Sequence, residues 1–136
     1  MKKKSVACIA FDKNKVFIAH RNPTGQMGNR WEFPGGKVED GESEQDSIIR
    51  EFNEEFGVTV CVGEKIAEAK FKHNGDDFSL SGYLIKLPHN GIEKKFVLSE
   101  HYEYKWAELA EIPTLDFVDS DMLIYPQVCK YLANNL

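Results

Sequence analysis

Apolar residues run almost unbroken through SVACIAF (5–11) and recur in KVFIAHR (15–21), with Asp12-Lys13-Asn14-Lys15 between them. Two β-rich runs around a short polar turn predict a hairpin. NPTGQMGNR (22–30) predicts a loop, from its Asn-Pro step and its glycines. WEFPGGKVEDGE then reads as a short strand running into a Gly-rich turn. From Ser43 the period changes. Ile48, Ile49, Phe52 and Phe56 recur at helical spacing, which predicts a helix capped by Ser43 and stopped by Gly57. Residues 58–72 and 77–87 are β-rich runs around the turn signal HNGDD. A shorter strand is expected near 93–97, and YEYKWAEL (102–109) predicts one more. DSDMLIYPQVCKYL (119–132) reads as a C-terminal helix in which Pro126 predicts a kink or a restart. One dominant helix among many strands, with a second helix at the end, predicts an α+β or mixed α/β fold.

Composition narrows the class. The 136 residues suit one domain, 1–136, and 42% hydrophobic content suits a globular core. A net charge of −5 argues against binding duplex nucleic acid by charge alone. A polyanionic substrate would need a metal or a few placed cations. Cys8, Cys61 and Cys129 are scattered and odd in number, which points to a reducing compartment and away from a zinc site. MKKKSVACIAF has too short an apolar run for a signal peptide and reads as an edge strand after a basic tail. Nothing reaches the ~18 apolar residues of a membrane span. The expectation is a soluble cytoplasmic protein.

The candidate chemistry lies in REFNEEFG (50–57). At about 100° per residue, Glu54 and Glu55 fall about 60° and 40° to either side of Glu51, with Ser47 between them. Ile48, Ile49, Phe52 and Phe56 gather on the other side as an anchor. A solvated acidic face is the ordinary alternative, but such a face mixes in lysine, and from Ser43 to Gly57 the one cation is Arg50. Three carboxylates on one face suit an oxygen-seeking ion, Mg²⁺ or Mn²⁺. Gly35 and Gly36 precede the helix and allow a backbone to approach a ligand closely, or simply make a tight turn.

Gly36, Glu42 and the run Arg50-Glu51-Phe52-Asn53-Glu54-Glu55-Phe56-Gly57-Val58 match every fixed position of the Nudix box, Gx5Ex7REUxEExGU, over residues 36–58. With the WEFPGG lead-in, the chain resembles the MutT-like branch of the Nudix hydrolases. The resemblance implies an α/β/α sandwich around a mixed sheet, and Mg²⁺-assisted attack of water on a phosphorus of a nucleoside diphosphate derivative. It implies Glu51, Glu54, Glu55 and the Gly35 carbonyl as metal ligands, with Gly36, Glu42 and Gly57 as structural positions of the motif. Arg50 would orient a carboxylate, Glu51 or Glu42. Two candidates stand for the catalytic base, Glu51 and a loop glutamate, Glu100, which would also reach the metal; Glu103 lies close to it in sequence.

For the substrate, the resemblance points to Arg21, Phe33 and Asp121. Phe33 would serve equally well in a core; Asp119 reads first as a helix cap, and for Asp121 a cap is the alternative. Bacterial MutT has asparagine where this chain has Asp121. An ionised aspartate only accepts hydrogen bonds, which favours a base edge rich in N–H donors. The implied activity is conversion of an 8-oxo-dGTP or dGTP-like triphosphate to monophosphate and pyrophosphate, a nucleotide-pool sanitation that assists DNA repair. CTP or a modified pyrimidine nucleotide and ADP-ribose are alternatives, and a catalytically silent nucleotide sensor is a remote one. The partner is a small nucleotide, and the protein a monomer or homodimer.

Overall fold

The computed structural model describes residues 2–21, 29–87 and 101–134, without the side chains of residues 2, 101 and 102. Strands β1 (Lys2–Asp12), β2 (Lys15–Arg21), β3 (Trp31–Glu32), β4 (Gly35–Lys37), β5 (Cys61–His73), β6 (Asp76–Lys86) and β7 (His101–Glu108) form one sheet. Helix α1 spans Glu44–Phe56 and α2 spans Asp119–Asn134. The backbone of the sheet runs β3-β2-β1-β6-β5, with β4 also paired to β1 and β7 to β2. β1 and β6 are parallel and every other pairing is antiparallel, so the sheet is mixed.

β1 is therefore central, which corrects the expectation of an edge strand. Its apolar run has a reason: both faces are covered. Val6, Cys8 and Ala10 pack with Ile48, Phe52 and Phe56 of α1. Ala7 and Ile9 pack with Ile124, Val128 and Leu132 of α2. Alternation along one strand thus feeds two cores, and the result is an α/β/α sandwich. The basic tail is not a tail either, since Lys2–Lys4 continue the strand beside Asp77–Ser79.

The turns follow their chemistry. Lys13 and Asn14 have φ of 49° and 66°, and Asn74 and Gly75 have 51° and 82°, as two-residue hairpins require. Ser43 Oγ accepts from Asp46 N–H at 3.0 Å, and Gly57 closes α1 at φ 68°. Ile49 departs from the expected anchor: it is 36% exposed, while Ser47 and Glu55 are buried in its place. The buried face of α1 is rotated toward the carboxylates. Phe17 of β2 sets that rotation, with Phe52, Phe56, Tyr104 and Trp106 all within 6.2 Å of its ring.

Two features of the C-terminal half differ from the expected pattern. A 3-10 helix, Leu109–Thr114, follows β7 directly. It carries one buried residue, Ile112, so it leaves no helical periodicity to read. α2 is assigned as one helix through Pro126, without a restart. Its packing through Ile124, Val128 and Leu132 spans the proline. The strand expected near 93–97 lies outside the described residues.

Candidate active site

The Gly-Gly segment is a strand, not a tight turn. Cys8 N–H donates to Pro34 O at 2.7 Å and Val38 N–H to Lys4 O at 2.9 Å, so residues 34–38 are laid along β1. A Cβ on Gly35 would stand 1.9 Å from the Val6 carbonyl oxygen, which is why no side chain fits there. A Cβ on Gly36 would stand 2.6–2.8 Å from the Glu51 carboxylate. The missing side chain of Gly36 is thus the space that Glu51 occupies.

Arg50 organises the carboxylates. Its Nε donates to Glu42 Oε2 at 2.8 Å and its Nη2 to Glu42 Oε1 at 3.0 Å, a two-point grip. Nη1 donates to Glu51 at 2.9 Å and lies 3.4 Å from Glu54. Nη2 also donates to the Lys37 carbonyl at 3.1 Å, tying the helix to β4. Glu42 accepts in addition from Glu39 N–H, and these bonds, the Arg50 bond first, hold its carboxyl below the usual range. Both expected partners of Arg50, Glu42 and Glu51, are therefore engaged. The guanidinium is held charged by the same contacts.

The three glutamates are not equivalent. Glu54 is 62% exposed, Glu51 is partly covered and Glu55 is buried at 6%. Among the described residues no three acidic, histidine or cysteine side chains converge as a metal cluster. Glu51 and Glu54 meet on Arg50 instead. The donor set still fits a hard divalent cation: it offers oxygen atoms alone, from carboxylates beside a strand that a Cβ would block.

A cleft of about 400 Å³ joins this region to the expected substrate residues. Gly36 and Glu51 line one part of it; Arg21, Glu32, Phe33 and Asp121 line another. Arg21 ends β2, and its Nη1 donates to Glu32 at 3.1 Å. Its Nε is buried without a hydrogen-bond partner among the described residues. Phe33 is both core and cleft wall, packed edge-on against Phe117 at 5.1 Å. Its backbone N–H donates to Asp121 Oδ2 at 2.9 Å.

Asp121 is 5% exposed, and burial pushes its carboxyl well above the usual carboxylate range. The Glu32 charge pushes the same way, while the Phe33 N–H and Arg21 oppose it. The expectation of an acceptor-only group applies to the ionised form; with a proton, Asp121 gains one O–H donor besides its acceptors, much as asparagine has both. Nor is either aspartate the helix cap: Val118 O accepts the first turn's N–H, from Met122. Asp119, one position inside, faces Arg30 at 3.3 Å.

Sequence reasoning missed Glu32, which pairs with Arg21 and influences Asp121 across the cleft. Its signal was available: WEFPGG puts a charged residue between two aromatics, on a strand that the fold half-buries. Glu100 lies outside the described residues. Glu103 sits on β7 opposite His20.

Known proteins resemble the chain along most of its length. The NUDIX domain family model matches residues 1–127. A CTP pyrophosphohydrolase of Escherichia coli is 30% identical over 78% of this chain and 76% of its own. A putative 8-oxo-dGTP diphosphatase 2 of Mycobacterium tuberculosis is 33% identical over 78% of this chain and 73% of its own. Among solved structures, the E. coli ORF135 protein superposes with a TM-score of 0.82 at 24% identity, covering 98% of this chain and 92% of the other. With the box of residues 36–58 folded as strand, turn and helix, these matches establish that the chain belongs to the Nudix hydrolase superfamily, in its MutT-like branch, and is an enzyme acting on phosphoanhydride bonds.

Proposed function

We propose that the enzyme is a Mg²⁺-dependent nucleoside triphosphate pyrophosphohydrolase that releases a monophosphate and pyrophosphate from 8-oxo-dGTP or a dGTP-like substrate. The observation that carries this reading is the single cleft that reaches from Gly36 and Glu51 to Phe33 and Asp121. Phosphates belong at the first end and a base at the second. Nudix hydrolases generally use a divalent metal, and here Glu51, Glu54, Glu55 and the Gly35 carbonyl would hold it, with Glu100 as a further ligand. Such an ion offsets phosphate charge and lowers the pKa of a bound water.

The chain's own residues have separate tasks in this reading. Arg50 orients Glu51 and fixes the β4–α1 geometry through Glu42 and Lys37. Glu51 or Glu100 takes the proton of the attacking water. Arg21 presents a positive edge at the base end, and Phe33 walls it. Asp121, with donor and acceptor both available when neutral, matches the two-sided edge of a guanine. The cellular role would be nucleotide-pool sanitation.

CTP or a modified cytosine nucleotide is the second reading, favoured by one observation: two carboxylates, Glu32 and Asp121, line the base end, and a cytosine amino group is a donor. A relative named for CTP hydrolysis is 30% identical over 78% of this chain, and one named for 8-oxo-dGTP is 33% identical over the same share. The two readings separate in one experiment. Phosphoanhydride cleavage with Mg²⁺ is measured as pyrophosphate release from 8-oxo-dGTP, dGTP, CTP and 5-methyl-dCTP, and as AMP formation from ADP-ribose. Highest kcat/KM on a guanine triphosphate supports the first reading, and on a cytosine triphosphate the second. Turnover of ADP-ribose alone would overturn both.

A further inference from the structure

A second concave surface, of about 640 Å³, shares no lining residue with the cleft. It lies where β1, β6 and β5 run side by side. Strand register sets a row across the sheet there: Lys4 is paired with Ser79, and Ser79 with Lys70. Lys4 follows the alternation of Val6 and Cys8, so the row is on the α1 face of the sheet. Ser81 and Tyr83, on the same face of β6, donate to Glu44 at the start of α1 at 3.1 and 2.6 Å. The helix stops short of the row and leaves it open. Two inter-strand spacings put the Lys4 and Lys70 Cα atoms about 10 Å apart, with Ser79 midway.

The charges around the row are unequal. Lys65 pairs with Glu68 at 3.3 Å and approaches Glu44 at 4.0 Å. Lys72 faces Asp77 at 3.9 Å. Lys4 and Lys70 line the same surface and make no ion pair among the described residues. Lysine on an edge strand has an ordinary purpose, to discourage pairing with another sheet, and that covers Lys70 on β5. It does not cover Lys4, which stands on a central strand. Two ammonium groups without an ion pair among the described residues straddle a hydroxyl, a local inversion of sign in a chain of net charge −5.

We propose that the Lys4–Ser79–Lys70 row is an oligophosphate-binding site, separate from the catalytic cleft. It takes a chain of two or three phosphoryl groups, free or as part of a nucleotide. The lysines act as point charges on the outer phosphoryl oxygens and the Ser79 hydroxyl donates to the centre. Lys72 flanks one end of the row. The Asp77 and Glu68 carboxylates bound it and exclude longer polyanions.

The test is a titration of the intact protein with inorganic triphosphate in EDTA, followed by backbone amide NMR shifts. A parallel arm uses a non-hydrolysable nucleoside triphosphate, and a third uses sulfate at matched ionic strength. Saturable shifts at Lys4, Ser79 and Lys70 are expected with both phosphate ligands, at affinities within a few-fold of each other. The Lys4→Gln/Lys70→Gln double variant, altered at two exposed positions, should lose at least tenfold in affinity while keeping its rate of triphosphate hydrolysis. Shifts confined to the cleft, an equal response to sulfate, binding of the nucleotide alone, or an unchanged affinity in the double variant would each overturn the proposal.

Discussion

At the scale of single residues, two adjacent glycines have different work. Gly35 is pressed on backbone and Gly36 on the end of a flexible side chain. Gly35→Ala must move the Val6 strand, and a loss of about 1–3 kcal/mol in unfolding free energy is expected from denaturant melts. Gly36→Ala needs only a swing of the Glu51 carboxylate, so stability should stay within about 1 kcal/mol. Activity should nevertheless fall, because Glu51 leaves its place beside β4. If Gly36→Ala kept full activity, the position of Glu51 would not matter.

Asp121 supplies a pH prediction. Its folded-state pKa is raised by burial, so the folded protein keeps a proton that the unfolded chain releases near pH 4. The stability it contributes is full below that unfolded value and falls as pH rises toward the folded pKa, by at most about 1.4 kcal/mol per pH unit. Asp121→Asn removes this loss. The variant's melting temperature relative to the parent should therefore rise between pH 5 and pH 8. An offset that does not change with pH would mean that Asp121 is ionised throughout. The same variant keeps a donor and an acceptor, so under the guanine reading its substrate ranking should persist.

At the scale of elements, α1 links packing to chemistry. Phe52 is buried against Phe17, and Phe52→Ala should cost about 3–5 kcal/mol and disturb the carboxylates that the same helix carries. Among the described strands β5 forms an edge of the sheet, and α2 covers part of it. Gln127 Oε1 accepts from Glu68 N–H at 3.0 Å and its Nε2 donates to Glu68 O at 2.9 Å, standing in for a neighbouring strand. Gln127→Ala leaves that pair open. Greater self-association is expected by light scattering, with little change in monomer turnover.

The elements also show why some of the fold was legible in the sequence. Turns and caps were, because Asn74-Gly75, Ser43 and Gly57 act through local backbone geometry. The rank of β1 in the sheet was not: an unbroken apolar run says that both faces are covered, but the neighbours come from residues 35–37 and 76–86. Ile49 and Glu55 traded places for a similar reason. Helical period gives the width of a face, and Phe17, far away in the chain, decides its rotation. In the site, motif spacing found Arg50 and its carboxylates, while the Asp121 environment depended on Glu32 and Phe33 brought in by β3.

At the scale of the molecule, a sheet with a helix on each face leaves a cleft that runs from the motif helix to the start of α2. Residues of the motif line one end of it, and residues of β2, β3 and α2 line the other. The central claim is that the motif carboxylates hold a metal that drives phosphoanhydride hydrolysis. The most direct measurement is kcat/KM for pyrophosphate release from 8-oxo-dGTP at saturating Mg²⁺, for the parent and for Glu55→Gln, with far-UV circular dichroism of both. Glu55 is buried, and the near-isosteric change keeps its shape. The account predicts an unchanged spectrum, no turnover in EDTA, and a fall of more than about a hundredfold in the variant. Near-parental turnover by Glu55→Gln, or turnover by the parent without a divalent ion, would contradict it.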